Sequence, residues 1–186
     1  MAWVLFVLII SAFVGVVRGG RLQHLLDVET RAWWLLVIGF GLQIIAAQLP
    51  EENSSLAVGL LLVSYVSILG MVAINRMAPG MWIAGIGLLM NFTVIALNGG
   101  MPVLPASVEI AGGSADPVLS GKHVLLDDST RLPFLGDLIP LPATVISMGD
   151  VFLAIGLGVF LEAMTRRRPR LFRHGVHGEG GSALEH

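Results

Sequence analysis

Residues 98–150 read NGGMPVLPASVEIAGGSADPVLSGKHVLLDDSTRLPFLGDLIPLPATVISMGD, and this stretch decides how the rest of the chain is arranged. It contains the single Lys of the sequence, and its acidic residues are Glu109, Asp116, Asp127, Asp128, Asp137 and Asp150. The segments on either side are almost purely apolar. Because the polar chemistry is concentrated in one stretch, the remaining sequence predicts membrane-spanning helices.

The composition excludes several classes of protein. Hydrophobic residues make up 55% of the chain, charged residues only 13%, and the mean hydropathy is +0.83. This is too apolar for a water-soluble domain. The net charge of −2 provides no basic surface for nucleic acid, which we do not expect as a partner. The absence of Cys excludes disulfides and thiolate metal sites.

Five apolar segments predict five membrane crossings. Trp34 and Trp82 lie near the starts of two of them, as expected for aromatic residues at a membrane interface. The sequence therefore predicts an all-α integral membrane protein with five transmembrane helices. The predicted helices span residues 2–17, 31–49, 55–74, 81–97 and 150–164.

The arginines predict the orientation of the chain. With the N-terminus outside and the C-terminus in the cytoplasm, nine of the eleven basic residues lie inside, as the positive-inside rule requires. We therefore expect a multi-pass protein of the bacterial cytoplasmic membrane, in contact with membrane lipids. Residues 1–174 form the transmembrane domain in this interpretation, and residues 175–186 form a disordered cytoplasmic tail that ends in the remnant of an expression tag.

The segment 98–149 is then a long external loop between the fourth and fifth helices. Its apolar runs at 124–126, 132–135 and 138–142 should pack on the helices or enter the interface. Loops of this length are usually functional or disordered, and the apolar runs argue against disorder. We therefore expect a folded, partly re-entrant cap.

Two amides fall at equivalent positions of the second and fourth helices. Gln43 follows Trp34, and Asn91 follows Trp82, at the same spacing. Amides near the membrane midplane are costly in lipid, so both should face a polar cleft between these helices. They could join helices by hydrogen bonds or contact a ligand.

The densest charged cluster is a second candidate site. If the segment is helical, His123 and Asp127 share one face, beside Lys122 and Asp128. This arrangement could form an acid–base pair, supply partial ligands for a divalent cation, or be a salt-bridged surface turn. It matches no recognised metal motif, so we predict neither a metal site nor a cofactor.

Three further residues are candidates near the membrane surface. Asp137 lies between apolar residues and needs either an ion-pair partner, such as Arg131, or a raised pKa. Asp150 is a catalytic candidate with Asp137 and His123, but it also completes a capping box with Ser147. Asn98 either contacts a ligand or belongs to a simple helix stop.

These motifs carry a resemblance to a known family. NGGMP at 98–102, KHVLLDDSTRLPFLGDLIPLP at 122–142, SMGD at 147–150 and GGRL at 19–22 resemble small bacterial membrane proteins found in actinobacteria and firmicutes. That family is catalogued as a domain of unknown function. The resemblance implies a cytoplasmic-membrane protein and supplies no catalytic residues.

A second resemblance concerns topology. The last four predicted helices are arranged like those of lipoprotein signal peptidase, and residues 147–150 are similar to the helix start that carries one of its catalytic aspartates. The motif that carries the other aspartate has no counterpart at 98–102, so Asp137 or Asp127 would have to replace it.

Two classes of function follow. The first is a binding or catalytic site at the external membrane surface for an amphiphilic or lipid-linked substrate. The second is a non-enzymatic subunit, or a transporter-like module, whose external loop docks a membrane-protein partner. The cytoplasmic half of the helices has few polar residues, which argues against a channel.

Overall fold

The computed structural model describes residues 30–113 and 123–166, together with Val14 and Val17, which are helical. The other residues of the predicted first crossing, the predicted tail and Lys122 lie outside the described residues. The helices are α1 (Trp34–Gln48), α2 (Ser54–Ile74), α3 (Met81–Asn98), α4 (Pro105–Ile110) and α5 (Met148–Arg166). The strands are β1 (Met101–Val103), β2 (His123–Leu125), β3 (Asp137–Leu141) and β4 (Thr144–Ser147).

The long helices begin and end close to the predicted boundaries because local signals fix their ends. Pro50 follows α1, and a 3-10 turn at Glu51–Asn53 leads into α2. Gly80 and Gly99 flank α3, and both adopt the left-handed conformation that glycine accepts at low cost.

The prediction of five crossings is wrong for the described part of the chain. Three helices there are long and apolar enough to cross a membrane, and they end at Ile74, Asn98 and Arg166. By contrast, α1 has 15 residues, about 22 Å at 1.5 Å per residue, which is shorter than the roughly 30 Å apolar layer. α1 packs against α2, α2 against α3, and α3 against α5.

The all-α prediction is also wrong, because the segment between α3 and α5 contains a four-stranded mixed sheet in the order β2-β1-β3-β4. β1 is parallel to both of its neighbours, with Met101 opposite His123 and Val103 opposite Asp137. β3 and β4 are antiparallel, with Asp137 opposite Ser147. We call residues 101–113 and 123–147 the cap.

Two properties of these strands hid them in the sequence. They have three to five residues, too few to show a clear alternation of apolar and polar side chains. Pro102 and Pro140 lie within strands, and Pro normally argues against a strand because it donates no backbone hydrogen bond.

The cap packs directly on the ends of α2 and α3. Met101 and Leu135 share one core cluster with Val58, Leu61 and Val94. Burial of these side chains fixes the sheet against the bundle, and the apolar runs of the polar stretch provide part of the contact.

A glycine-lined contact joins α3 to α5. A Cβ at Gly149 would collide with the Asn91 side chain and lie 2.7 Å from the Gly87 carbonyl oxygen. A Cβ at Gly156 would collide with the backbone of Ala84. Small residues on both helices therefore allow backbone-to-backbone packing, as at many helix interfaces in membranes.

Candidate functional site

At the start of α5, Ser147 and Asp150 are joined by two hydrogen bonds. The Asp150 backbone N–H donates to Ser147 Oγ at 3.0 Å, and the Ser147 N–H donates to Asp150 Oδ2 at 3.1 Å. This is the predicted capping box, and the structure confirms it. The positive end of the helix dipole further favours the carboxylate at this position.

Asn91 ties this capping box to α3. Its Nδ2 donates to Asp150 Oδ1 at 2.9 Å, and its Oδ1 accepts a hydrogen bond from Ser147 Oγ at 2.9 Å. Asn91 is 2% exposed and Ser147 is fully buried. The amide satisfies both groups where α3 and α5 approach through Gly149, and a carboxylate is thereby held at the bundle end.

Tyr65 extends the cluster to α2. Its side chain hydrogen-bonds Asn91 and lies within electrostatic range of Asp150 and Asp137. Tyr65 was not among the site residues predicted from the sequence. Its being the single Tyr of the chain, in a helix otherwise almost purely apolar, was the signal that could have identified it. We call Tyr65, Asn91, Ser147 and Asp150 the buried polar cluster.

His123 and Asp137 come together on the two strands that flank β1. His123 Nε2 lies 4.0 Å from Asp137 Oδ2, an ion-pair distance if the imidazole is protonated. The Asp137 side chain is 11% exposed and the His123 side chain 32% exposed. The carboxyl therefore lies beneath a ring that reaches the surface, and we call these two residues the surface pair.

The environment of Asp137 favours its protonated form. Burial raises the pKa of this carboxyl to about 8, and the negative charge of Asp150 adds to the rise. The raised pKa, rather than an ion pair with Arg131, is how the structure accommodates this residue. At neutral pH Asp137 carries a proton that it can donate.

Asn98 holds the backbone of the cap in place. Its Nδ2 donates to the carbonyl oxygens of Val94 at 2.8 Å and Arg131 at 2.9 Å, and its Oδ1 accepts from the Arg131 N–H at 2.8 Å. These hydrogen bonds engage both the nitrogen and the oxygen of the Asn98 amide. Asn98 therefore fixes the loop before the 3-10 turn at Pro133–Leu135.

The other half of the charged cluster forms a surface turn. Asp127 Oδ1 accepts hydrogen bonds from the Ser129 N–H and hydroxyl at 2.8 and 2.6 Å, and these bonds hold the pKa of Asp127 below its usual value. Asp128 is exposed beside it. Since His123 begins a strand, the helical pairing of His123 with Asp127 does not occur.

The predicted cleft between the second and fourth predicted helices takes a different form. These helices are α1 and α3, and α1 packs chiefly on α2. Gln43 is half-buried on α1, whereas the buried polar cluster lies among α2, α3 and α5. Of the sequence candidates, the structure brings together Asn91 with Asp150, and His123 with Asp137.

Within residues 30–113 and 123–166, no three His, Asp or Glu side chains are grouped closely enough to hold a metal ion. The surface pair can instead exchange a proton with a bound group, and a protonated Asp137 can donate a hydrogen bond to a ligand oxygen.

Comparisons with known proteins identify one family. The model of a family of unknown function, DUF5317, matches residues 27–162. An uncharacterised protein of Thermotoga maritima is 29% identical over 147 residues, covering 76% of this chain and 80% of the relative. No solved structure matches the chain. Because the family model covers three long helices, the whole cap and most of α5, this chain belongs to the DUF5317 family of unknown function.

Proposed function

We propose that this protein is a multi-pass protein of the bacterial cytoplasmic membrane whose cap, on the external side, binds the polar group of an amphiphilic or lipid-linked ligand. The surface pair of His123 and Asp137 is the proposed contact. The observation that carries the proposal is a carboxyl buried where the cap meets the bundle, 4.0 Å from a partly exposed imidazole, and burial raises the pKa of this carboxyl to about 8.

The chemistry of the surface pair supports a ligand rich in oxygen atoms. A neutral carboxyl donates an O–H, and an imidazole can donate or accept according to its protonation. Two such groups side by side suit a phosphate or a sugar hydroxyl, both of which are common in the polar groups of membrane amphiphiles. The ligand's apolar part would stay in the surrounding lipid.

The buried polar cluster acts electrostatically on the same site. Asp150 adds to the raised pKa of Asp137, and Tyr65 lies within electrostatic range of both carboxyls. A change in charge at the surface pair therefore alters the electrostatics of the contact between α3 and α5. This coupling supports a site at which ligand binding affects the packing of α3 against α5.

A ligand panel tests the proposal. The full chain in detergent is heated with phosphatidylglycerol, diacylglycerol, a glycosylated diacylglycerol or a polyprenyl phosphate, and the midpoint of unfolding is recorded. We expect one class to stabilise the wild type, and His123→Ala and Asp137→Asn to weaken that effect at least about tenfold in ligand concentration.

Asp128→Asn is the matched control, because it removes an exposed carboxylate of the same cap. It should respond to the ligand as the wild type does. Equal stabilisation of the wild type and both surface-pair variants would refute the proposed site, as would no stabilisation by any member of the panel.

A non-enzymatic subunit that docks a partner through the cap is the second candidate. The observation in its favour is the apolar surface of the cap, where Ile110 is 74% exposed and Phe134 is 59% exposed. Ile110→Ser and Phe134→Ser should release a protein partner in cross-linking of whole cells, with the surface-pair variants unaffected. A cross-linked product unchanged by both Ser variants would exclude this docking role.

An aspartyl hydrolase has less support. In such enzymes two carboxyls share one proton, whereas Asp150 has a structural role in the capping box of α5. Here the two oxygens of Asp150 each accept a hydrogen bond, from Asn91 and from the Ser147 backbone. The fold of lipoprotein signal peptidase is an analogy only, and fold alone does not establish function.

A further inference from the structure

A groove runs between α2 and α3 on the outer surface of the bundle, at the end opposite the cap. It has a volume of about 250 Å³ and its walls include Leu69, Val72 and Leu89. Gly85 lies at its base, where a Cβ would be 3.1 Å from Val72 Cγ1. The missing side chain of Gly85 therefore keeps the space between the two helices open.

One end of the groove carries a cation and an indole. Arg76 lies just after α2 ends, and Trp82 lies in the first turn of α3. Arg and Trp are typical of the membrane interface, where the charge meets headgroups and the indole lies at their level. No carboxylate in residues 30–113 or 123–166 forms an ion pair with Arg76. The groove is thus apolar along its length and positive at its mouth.

We propose that this groove binds one acyl chain of an anionic glycerophospholipid, with the phosphate at Arg76. An amphiphile has the same order of chemistry as the groove, a charged group at the interface followed by hydrocarbon. The volume is below that of a site for a whole drug-sized ligand, so the groove accepts a chain segment while the rest of the lipid stays in the bilayer. This site is separate from the surface pair, and it rests on the proposed membrane location but not on the proposed ligand site of the cap.

Two other occupants fit the groove less well. The apolar segment 2–17 of this chain has no Asp or Glu, so it would bury hydrocarbon without neutralising Arg76. A second copy joined groove to groove would bring two Arg76 side chains to one symmetric interface, where like charges repel. A phospholipid supplies both the chain and the negative charge.

Native mass spectrometry of the full chain tests the proposal. Phosphatidylglycerol, diacylglycerol and glycerol phosphate are added to delipidated protein, and the fraction of protein carrying one ligand is measured. We expect phosphatidylglycerol to bind the wild type, diacylglycerol to bind at least about tenfold more weakly, and glycerol phosphate not to bind. Gly85→Leu fills the groove and should reduce phosphatidylglycerol binding at least about tenfold.

Matched variants separate the groove from general lipid contact. Gly59→Leu adds the same side chain to α2 at a position with open space around it, and Arg31→Gln removes a cation from the same end of the bundle. Both should bind phosphatidylglycerol like the wild type, while Arg76→Gln should lose the preference over diacylglycerol. An unchanged melting midpoint for Gly85→Leu confirms that the variant is folded.

Three results would overturn the proposal. Equal loss of binding in Gly59→Leu and Gly85→Leu would indicate non-specific lipid. Conversion of a dimer to a monomer by Gly85→Leu would indicate a second copy in the groove. A disulfide formed between Cys residues introduced at positions 10 and 89 would place segment 2–17 there.

Discussion

At the scale of single residues, two carboxylates near the cap–bundle boundary have opposite environments. Asp150 begins a helix and receives hydrogen bonds at both oxygens, so its charge is stabilised locally. Asp137 is buried beside that charge, and burial raises its pKa to about 8. Burial thus favours the neutral form of Asp137, whereas hydrogen bonds hold Asp150 at the start of α5.

The Asp137 environment predicts a pH dependence of stability. Its pKa is 3.8 in the unfolded chain and about 8 in the folded one, so the folded state binds the proton more tightly. Stability is therefore fully present below the unfolded value and is lost as pH rises through about 8. The melting midpoint of the wild type should fall between about pH 5.5 and about pH 9, and Asp137→Asn should flatten this fall.

Asp128→Asn, at an exposed position of the cap, is the control and should follow the wild type. If Asp137→Asn and the wild type gave parallel curves, the carboxyl of Asp137 would not be the titrating group.

Replacing Asn98 should reduce local order where α3 meets the cap. Asn98→Ala removes one hydrogen bond to Val94 within α3 and two that join α3 to Arg131 of the cap, and should cost about 1–3 kcal/mol. Hydrogen exchange at the Arg131 amide should become faster because its acceptor is gone. Thr93→Ala, one turn away and exposed, should leave this exchange rate unchanged.

At the scale of elements, the contact between α3 and α5 depends on the size of its residues. Gly87, Gly149 and Gly156 bring the two backbones together, and Asn91 can reach Asp150 only because Gly149 has no side chain. The buried polar cluster is therefore a product of close helix packing.

The same substitution should have opposite effects at two glycines. Gly149→Ala forces a methyl group into Asn91 and should destabilise the protein by about 1–3 kcal/mol. Gly41→Ala, on α1 with nothing near the added carbon, should stabilise it by up to about 1 kcal/mol, since Ala is the better helix former. Thermal unfolding of both variants gives the comparison, and a stabilised Gly149→Ala would contradict the packing.

The sequence was informative about helices and poor on the cap for one physical reason. Long apolar segments ended by Pro50, Gly80 and Gly99 carry their own boundaries. The strands of the cap are defined by pairing between distant residues, such as Met101 with His123, which no local pattern records. For that reason a folded cap was expected but its sheet was not.

The candidate site divides in the same way. The capping box is local, and residues 147–150 were sufficient to predict it. The surface pair depends on the two strands that flank β1, which are distant in sequence. From the sequence, Arg131 was the suggested partner of Asp137. In the structure, the Arg131 backbone is hydrogen-bonded to Asn98. Tyr65 is on another helix and could be placed only by the fold.

At the scale of the whole molecule, the surface pair and the buried polar cluster lie at one end of the bundle, and the groove between α2 and α3 lies at the other. The helices expose large apolar side chains between these ends, including Val37, Phe40, Val63 and Leu89. Such a belt is compatible with a lipid environment. In the membrane orientation that we propose, the cap would lie at one surface and Arg76 at the other.

The orientation can be measured directly because the chain has no Cys. Asp128→Cys places a thiol on the exposed cap, and Met77→Cys places one between α2 and α3, where Met77 is 89% exposed. A maleimide that cannot cross membranes should label the first in intact cells and the second only after permeabilisation. The reverse pattern would mean that the cap faces the cytoplasm.

The sheet is joined to the helices almost without linkers. β4 ends at Ser147 and α5 begins at Met148, while only Gly99 and Gly100 separate α3 from β1. Because no flexible linker separates the strands from α5, a displacement of the strands around Asp137 would also displace α5. In the orientation that we propose, ligand binding at the cap would thereby shift α5, which ends at Arg166.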